Sequence, residues 1–166
     1  MNDKLTQSDI DKIQAEIDHR KLVVRPKALE DVKEARAQGD LSENFEYKAA
    51  KQFKNENESR IRYLERVLRT AVVISDESAE DEVGMNNTVE LYFEDDDEVE
   101  TYKLVTTIRS NSLKNRISQE SPLGKAIMGH KVGDRCKVQV NADYSYYVEI
   151  RSISNTDDEG DELRKF

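Results

Sequence analysis

The chain has 166 residues, of which 37% are charged and 36% hydrophobic, and its formal net charge is −9. No apolar run approaches the roughly 20 residues that a membrane helix needs, and an acidic chain is a poor candidate for simple duplex binding, which depends on neutralising phosphates. The polar, acid-bearing segment Met1–Asp11 and the single cysteine, Cys136, predict a protein of the reducing cytoplasm with no secretory signal.

The charge is unevenly placed along the chain. Residues 1–70 contain 15 Lys and Arg against 14 Asp and Glu, whereas residues 71–166 contain 11 against 21. The basic residues of the first half cluster on particular helix faces, so this half can meet nucleic acid locally, although the chain as a whole is acidic.

Two long helical patterns occupy the first half. Ser8–Gln38 carries one apolar stripe with a 3-4-7 rhythm and Ser8 as N-cap, and Pro26 predicts a kink or the start of a new helix. Leu41–Ala71 carries two heptad rows that Lys54 and Asn57 interrupt. Together they predict an antiparallel two-helix coiled coil.

The turn between these helices, Gly39–Tyr47, contains three carboxylates. Asp40 and Glu43 are three residues apart, so they share one side if Asp40 opens the second helix. Hard oxygen ligands of this kind suit Mg²⁺. The same two residues also fit a capping box, so the motif alone leaves a structural and a metal-binding role open.

The pattern of the second half changes to a period of two, which is typical of strands. Ser121 is a good N-cap for a short helix that has Pro122 in its first position and ends at Gly129. The chain after Asn155 is acidic and lacks a pattern, which predicts a mobile tail. The strands are predicted at Ala71–Ser75, Thr88–Phe93, Val99–Thr106, Arg135–Val140 and Tyr144–Ile153.

Three groups of residues carry a resemblance to a known family. They are Arg25-Pro26 with Glu34-Ala35-Arg36, Gly39–Tyr47 and Ala49-Ala50; then Ser59-Arg60-Ile61 with Leu64-Glu65; then Ile117-Ser118 with Ser121–Ala126 and Gly133-Asp134. In this order they resemble the bacterial Gre transcript-cleavage factor family.

The resemblance implies a fold with an N-terminal antiparallel two-helix coiled coil, followed by a small FKBP-like antiparallel sheet domain with one short helix. The expected divisions are residues 1–75 for the coiled coil, 76–154 for the polymerase-binding domain and 155–166 for the tail. The implied function is that of a transcription elongation factor. Such a factor enters the secondary channel of RNA polymerase as a monomer and stimulates the polymerase's own cleavage of the nascent RNA 3′ end in backtracked complexes. The factor is not itself an enzyme.

The resemblance also implies three sets of site residues. Asp40 and Glu43 would hold Mg²⁺ jointly with the polymerase, while the isolated protein binds none. Arg36 and Lys51 match a basic patch that meets the extruded RNA 3′ end. The region that contacts the polymerase would be Ser121, Pro122, Leu123 and Gly124.

Some residues depart from the family pattern. Phe45 stands where a small residue is usual, Asn86-Asn87 replace small residues, and Thr106–Asn111 lacks the acidic residues common there. These departures support an alternative in which the protein occupies the channel and modulates or inhibits the polymerase without promoting cleavage.

Two further functions belong to other classes. The FKBP-like fold raises the possibility of a prolyl isomerase, but the sequence, with Phe93 as the sole Phe or Trp of that half before the tail, predicts no aromatic-lined pocket. The coiled coil by itself is also compatible with a plain adaptor, for which the charge of the tip would be dispensable.

Overall fold

The computed structural model describes residues 3–39 and 44–165. These residues form two compact units. The helical unit contains Ile10–Ala71, and the sheet unit contains Asp3–Asp9 together with Val72–Lys165. The sequence-based division at residues 75 and 76 had not included the N-terminal segment in the sheet unit.

The helices of the first half are α1 (Gln7–His19), α2 (Arg25–Arg36) and α3 (Phe45–Thr70). The first of them begins at a reciprocal capping box. The Thr6 hydroxyl accepts a hydrogen bond from the Asp9 N–H at 3.2 Å, and the Asp9 carboxylate accepts one from the Thr6 N–H at 3.0 Å. The N-cap is therefore Thr6 and not the predicted Ser8.

The break at Pro26 takes the form of a new helix after a wide turn. Arg20–Val24 forms a π-helical turn, and α2 then starts at Arg25 with Pro26 among its first residues. A proline has no N–H to donate, so it is tolerated at the start of a helix, where that donor would lack an intrahelical acceptor. Of the two outcomes that the sequence predicted, the restart is confirmed.

A polar layer crosses the interface between the helices at Asn57. The Arg20 guanidinium donates to the Asn57 side-chain oxygen at 3.0 Å. The Glu16 carboxylate accepts from Arg20 at 2.7 Å and from Arg60 at 2.8 Å. Burial raises the pKa of the Glu16 carboxyl, but the hydrogen bonds from Arg60 and Arg20 outweigh it and lower that pKa below its usual value. The polar interruption of the heptad rows is thus fully paired at Asn57.

The main sheet consists of β3 (Thr88–Phe93), β4 (Glu98–Val105), β5 (Arg116–Ser118), β6 (Arg135–Gln139) and β7 (Ser145–Ser154). The strand order is β5-β4-β3-β7-β6. All neighbouring strands are antiparallel except β4 and β5, which are parallel, so the sheet is mixed and not purely antiparallel.

The strand predicted at Ala71–Ser75 lies outside this sheet. Its residues Val72–Val73 form β2, which pairs in parallel with β1 (Lys4–Leu5). The fifth position of the main sheet is taken by Arg116–Ser118, which the sequence analysis did not predict as a strand. A three-residue strand is too short to show a period of two.

One helix, α4 (Pro122–Ile127), covers the core of the sheet unit. Ser121 caps it as predicted, accepting from the Gly124 N–H at 3.0 Å. Cys136 is buried, as expected of a small apolar residue in a strand. The buried cluster consists of Val83, Val89, Leu91, Leu104, Leu123, Ile127, Cys136, Val138, Val148 and Ile150.

Arg109 is fully buried in the sheet unit and is paired with acids from both ends of the chain. Its guanidinium contacts the Asp9 carboxylate and donates to Asp161 at 2.8 Å and to the Asn86 side-chain oxygen at 2.8 Å. Thr106 donates its hydroxyl to Asp9 at 2.7 Å. Two segments that depart from the family pattern, Asn86-Asn87 and Thr106–Asn111, therefore contribute residues to a single ion-pair cluster.

The C-terminal segment makes fixed contacts in the sheet unit. Asp161 is 6% exposed, and the Arg164 N–H donates to the Ile108 carbonyl oxygen at 2.7 Å. Glu162 accepts from Lys114 at 2.7 Å and from Arg116 at 2.9 Å. These contacts differ from the predicted mobile tail, because the acids of the segment meet basic groups that are distant in sequence.

Candidate functional site

The two carboxylates predicted to bind metal, Asp40 and Glu43, lie outside the described residues. The structure describes the residues on either side of them, Gly39 and Asn44. Gly39 has a φ of 125°, a backbone conformation that strongly favours glycine.

Asn44 joins the two helices at this end. Its side-chain oxygen accepts a hydrogen bond from the Tyr47 N–H at 2.9 Å, which makes Asn44 the N-cap of α3. Its side-chain amide donates to the Ala35 carbonyl oxygen in the last turn of α2 at 2.7 Å. The N-cap position of α3 is thus occupied by Asn44, and α3 begins at Phe45 and not at the predicted Leu41.

A basic cluster surrounds Tyr47 on the first turns of α3. The Arg36 guanidinium lies 5.6 Å from the centre of the Tyr47 ring and donates to its hydroxyl at 3.4 Å. This hydrogen bond, with the positive charges of Arg36, Lys51 and Lys54, lowers the pKa of the Tyr47 phenol. The two residues predicted to contact RNA, Arg36 and Lys51, are therefore near the same ring, and both are exposed.

Phe45 is the first residue of α3, and its side chain is 80% exposed. The Lys48 ammonium lies 5.7 Å from the centre of its ring. A large apolar ring that is so exposed at the end of a helix hairpin adds nothing to a core, so it is available for contact with a partner.

The predicted polymerase-contacting residues lie at the start of α4, and most of them have a structural role. Leu123 and Gly124 are buried, and Ser121 caps the helix. A Cβ atom on Gly124 would lie 2.1 Å from the Ser118 carbonyl oxygen, so only glycine fits there. Pro122 is the exposed member of the four.

No group of three or more His, Cys, Asp or Glu side chains that could hold a metal ion occurs in residues 3–39 and 44–165. The two candidate ligands, Asp40 and Glu43, are outside this range. Two carboxylates alone would leave most positions of a six-coordinate Mg²⁺ to other ligands.

The sheet unit also has an aromatic-lined pocket, of about 300 Å³, that the sequence analysis missed. Three of the four rings in this pocket belong to tyrosines, whereas the number of Phe and Trp residues alone predicts no such pocket. A spacing of two residues could have revealed this pocket. It places Tyr102 on the same face of β4 as the buried Leu104, and Tyr146 on the same face of β7 as the buried Val148. The lining residues are Phe93, Asp95, Asp96, Glu98, Glu100, Tyr102, Tyr144 and Tyr146.

In the described part of the chain, the helices are too short or too polar to cross a membrane.

Two family models match the sequence. Residues 4–73 match the N-terminal model of the GreA and GreB transcription elongation factors, and residues 77–155 match the C-terminal model of the same factors.

Several relatives are similar over most of their length. A transcription elongation factor GreA of Macrococcus caseolyticus is 40% identical over 150 residues, which cover 90% of this chain and 95% of the relative. A GreA of Thermoanaerobacter pseudethanolicus is 42% identical over 139 residues, covering 83% and 88%. A crystal structure of GreA factor homolog 1 (Gfh1) of Thermus thermophilus is 27% identical with a TM-score of 0.44, covering 93% of this chain and 100% of that one.

Proposed function

Since this chain belongs to the GreA/GreB family of transcription elongation factors, we propose that it enters the secondary channel of RNA polymerase and stimulates transcript cleavage there. The substrate would be the extruded 3′ end of the nascent RNA in a backtracked complex. The hydrolysis would be the polymerase's own reaction, to which this protein contributes groups as a monomer.

We base this proposal on the anchored end of the helix hairpin. Asn44 bonds both to Ala35 at the end of α2 and to the first turn of α3. A side chain that bonds to both helices fixes the end of α2 relative to the start of α3. Asp40 and Glu43 lie between these two helix ends in sequence, and two fixed helix ends suit the delivery of two carboxylates to a partner enzyme.

Asp40 and Glu43 would supply hard oxygen ligands to a Mg²⁺ ion that the polymerase also ligates. A second ion of this kind supports phosphodiester hydrolysis by stabilising the attacking and leaving oxygens. Two added carboxylates raise the occupancy of such a site through charge and coordination. Cleavage would then depend on the presence of the factor.

Arg36 and Lys51 would contact the phosphates of the extruded RNA. Both are exposed, and both contribute positive charge at Tyr47, so they form one basic surface beside the hairpin end. Basic side chains attract RNA without reading its sequence, as is required for cleavage at many positions of a transcript.

Contact with the rim of the channel would involve the start of α4. Gly124 and Leu123 shape this region from within, and Ser121 fixes the first turn of the helix. Pro122 is exposed and would make the contact itself.

The decisive experiment uses the Asp40→Asn/Glu43→Gln double variant in a backtracked elongation complex. We expect the wild-type protein to shorten the RNA and the double variant to bind the polymerase without doing so. Glu46→Gln is the matched control, because it removes a nearby exposed carboxylate of the same motif. Normal cleavage by the double variant would refute the proposed role of the tip.

The RNA contact can be tested separately with the Arg36→Gln/Lys51→Gln variant. We expect the concentration of factor needed for half-maximal cleavage to rise by about three- to tenfold, since each lost phosphate contact weakens binding. Arg69→Gln is the control, because Arg69 is exposed in the last turn of α3, far along the helix. An equal effect of both variants would show that only overall charge matters.

The exposed ring of Phe45 supports a second candidate, a factor that occupies the channel and inhibits the polymerase without cleavage. Its exposed fraction of 80% places a bulky group at the start of α3. This candidate predicts slower elongation and RNA of unchanged length with the wild-type protein. It also predicts that Phe45→Ser relieves the inhibition, whereas cleavage by the wild-type protein would eliminate the candidate.

A further inference from the structure

The aromatic pocket of the sheet unit lies on the core-facing side of the sheet. Phe93 continues the buried row of Val89 and Leu91 on β3, and its ring centre is 6.0 Å from that of Tyr102 and 6.0 Å from that of Tyr146. Tyr144 extends the group, 5.9 Å from Tyr146. The rings of Phe93, Tyr102 and Tyr146 pack against the hydrophobic core, and all four rings line an open pocket.

Carboxylates surround the rings. Along β4, Glu98 and Glu100 precede Tyr102 at intervals of two residues, so all three side chains lie on the same face of the sheet. The Tyr102 hydroxyl donates to Glu100 at 2.5 Å. Asp95 and Asp96 come from the turn between β3 and β4. Among residues 3–39 and 44–165, no Lys, Arg or His forms an ion pair with these four carboxylates.

Two other places on the same sheet show what such a combination of ring and carboxylate accepts. The Arg135 guanidinium lies 3.6 Å from the centre of the Tyr147 ring and donates to both oxygens of Glu94, at 2.7 and 3.0 Å. The Arg151 guanidinium lies 4.5 Å from the centre of the Tyr92 ring, with a side-chain nitrogen 3.3 Å from Glu149.

At both places a guanidinium rests on a tyrosine and pairs with a carboxylate. The pocket has the same two kinds of group, tyrosine rings and carboxylates, on the other face of the sheet, but no guanidinium from the described residues lies among them. We propose that this pocket binds an exposed arginine side chain of a partner protein. The planar guanidinium stacks on the aromatic rings, and its N–H groups donate to Glu98 and Glu100.

Arginine fits better than the other cations. A lysine ammonium is compact and strongly hydrated, so it gains less from a cradle of flat rings. The carboxylates do not form a group that could hold a metal ion within the described residues. A volume of about 300 Å³ suits one side chain and is at the lower end for a drug-sized ligand.

The test is an NMR titration of the full chain with the peptide acetyl-Gly-Arg-Gly-amide. We expect saturable shift changes at the backbone amides of Phe93, Tyr102 and Tyr146. The matched peptide with citrulline in place of arginine keeps the shape and removes the charge, so it should bind at least about fivefold more weakly. Equal binding of the two peptides would overturn the proposal.

Variants of the protein test the carboxylates. Glu98→Gln/Glu100→Gln should weaken binding of the arginine peptide by about threefold or more, because two ion pairs are lost. Glu90→Gln is the control, since Glu90 lies on the opposite face of β3 and is exposed. The Glu90→Gln variant should bind the arginine peptide as tightly as the wild-type protein does. An equal loss of affinity in both variants would show that only the net charge of the protein matters, which would overturn the proposed role of Glu98 and Glu100.

Other occupants give distinct results. A proline peptide, acetyl-Ala-Pro-Gly-amide, that shifted the same amides more strongly than the arginine peptide would assign the pocket to an isomerase-type ligand and overturn the proposal. Self-association of the free protein that protects these amides would assign the pocket to a second copy of this chain and would also overturn the proposal.

The contribution of the rings can be tested with Tyr144→Leu. This variant removes a half-exposed ring, so it should weaken binding of the arginine peptide while the fold is retained.

Discussion

The Asn44 side chain donates a hydrogen bond to the Ala35 carbonyl oxygen at 2.7 Å, which links the beginning of one long helix to the end of another. The Ala35 carbonyl oxygen belongs to the last turn of α2 and also accepts from the Gln38 N–H at 3.3 Å, so Asn44 supplies it with a second donor. Its oxygen satisfies a free N–H of α3 at the same time. A single residue therefore stabilises both helix ends next to the candidate carboxylates.

We expect Asn44→Ala to destabilise the hairpin end by about 1–2 kcal/mol, because it removes a helix cap and an interhelical hydrogen bond. Native-state hydrogen exchange should show a rise of roughly tenfold in the rate at the Tyr47 amide. Stimulated cleavage should fall as well, since the two helix ends that flank Asp40 and Glu43 in sequence would no longer be joined by this side chain. Asn55→Ala, at an exposed position within α3, is the control and should leave both measurements unchanged.

Gly124→Ala should destabilise the sheet unit by about 3 kcal/mol or more, because the new Cβ has no space. The atom in its way, the Ser118 carbonyl oxygen, cannot move easily, since the Ser121 hydroxyl donates to it at 2.6 Å. Thermal unfolding followed by circular dichroism measures the effect. Gly160→Ala is the control, because nothing lies within 4 Å of a Cβ atom there. A stable Gly124→Ala protein would contradict the packing at α4.

Asp161→Asn should destabilise the sheet unit by about 2 kcal/mol, because it leaves the buried Arg109 with one carboxylate fewer. Glu162→Gln removes an equal charge from the next residue. Its side chain is 48% exposed, so the pairs with Lys114 and Arg116 contribute less than about 1 kcal/mol after solvent screening. Denaturant titrations of the two variants should therefore differ clearly, and equal midpoints would argue against the burial of the cluster.

Acid should release the C-terminal segment. Burial raises the pKa of Asp161, but hydrogen bonds from Lys103 and Arg109 outweigh it and lower that pKa below 3.8. Hydrogen bonds from Lys114 and Arg116 lower the pKa of Glu162 from 4.5 to about 2. A carboxyl whose pKa is lower in the folded state stabilises that state above the unfolded pKa, and the contribution is lost as the pH falls.

The contribution of Glu162 should be lost between about pH 4.5 and about pH 2, and that of Asp161 should be lost as the pH falls below 3.8. The NMR shift of the Arg164 amide, which donates to Ile108 at 2.7 Å, reports on the release. The Asp161→Asn variant should show the released shift already at neutral pH. A wild-type Arg164 shift that stayed constant down to pH 2 would contradict this assignment.

Much of the fold follows from local patterns in the sequence. The 3-4-7 rhythm and the heptad rows predicted the helices, and the alternation of β3, β4, β6 and β7 predicted those strands to within one or two residues. Ser121 was recognisable as a cap because a capping hydroxyl and the backbone N–H that donates to it lie three residues apart. The choice of Ser8 over Thr6 was wrong, because both residues have a hydroxyl and only the position of Asp9 distinguishes them.

The sequence alone determined the periodicities, the helix pair, most of the strands and the family motif at the hairpin turn, because each depends on residues that are close in the chain. Only the tertiary structure decided that Arg109 pairs with Asp9 and Asp161, which are 100 and 52 residues away. It also decided that Lys4–Leu5 pairs with Val72–Val73 and that four rings converge on one pocket. Contacts of this kind depend on how elements pack, and no local spacing encodes them.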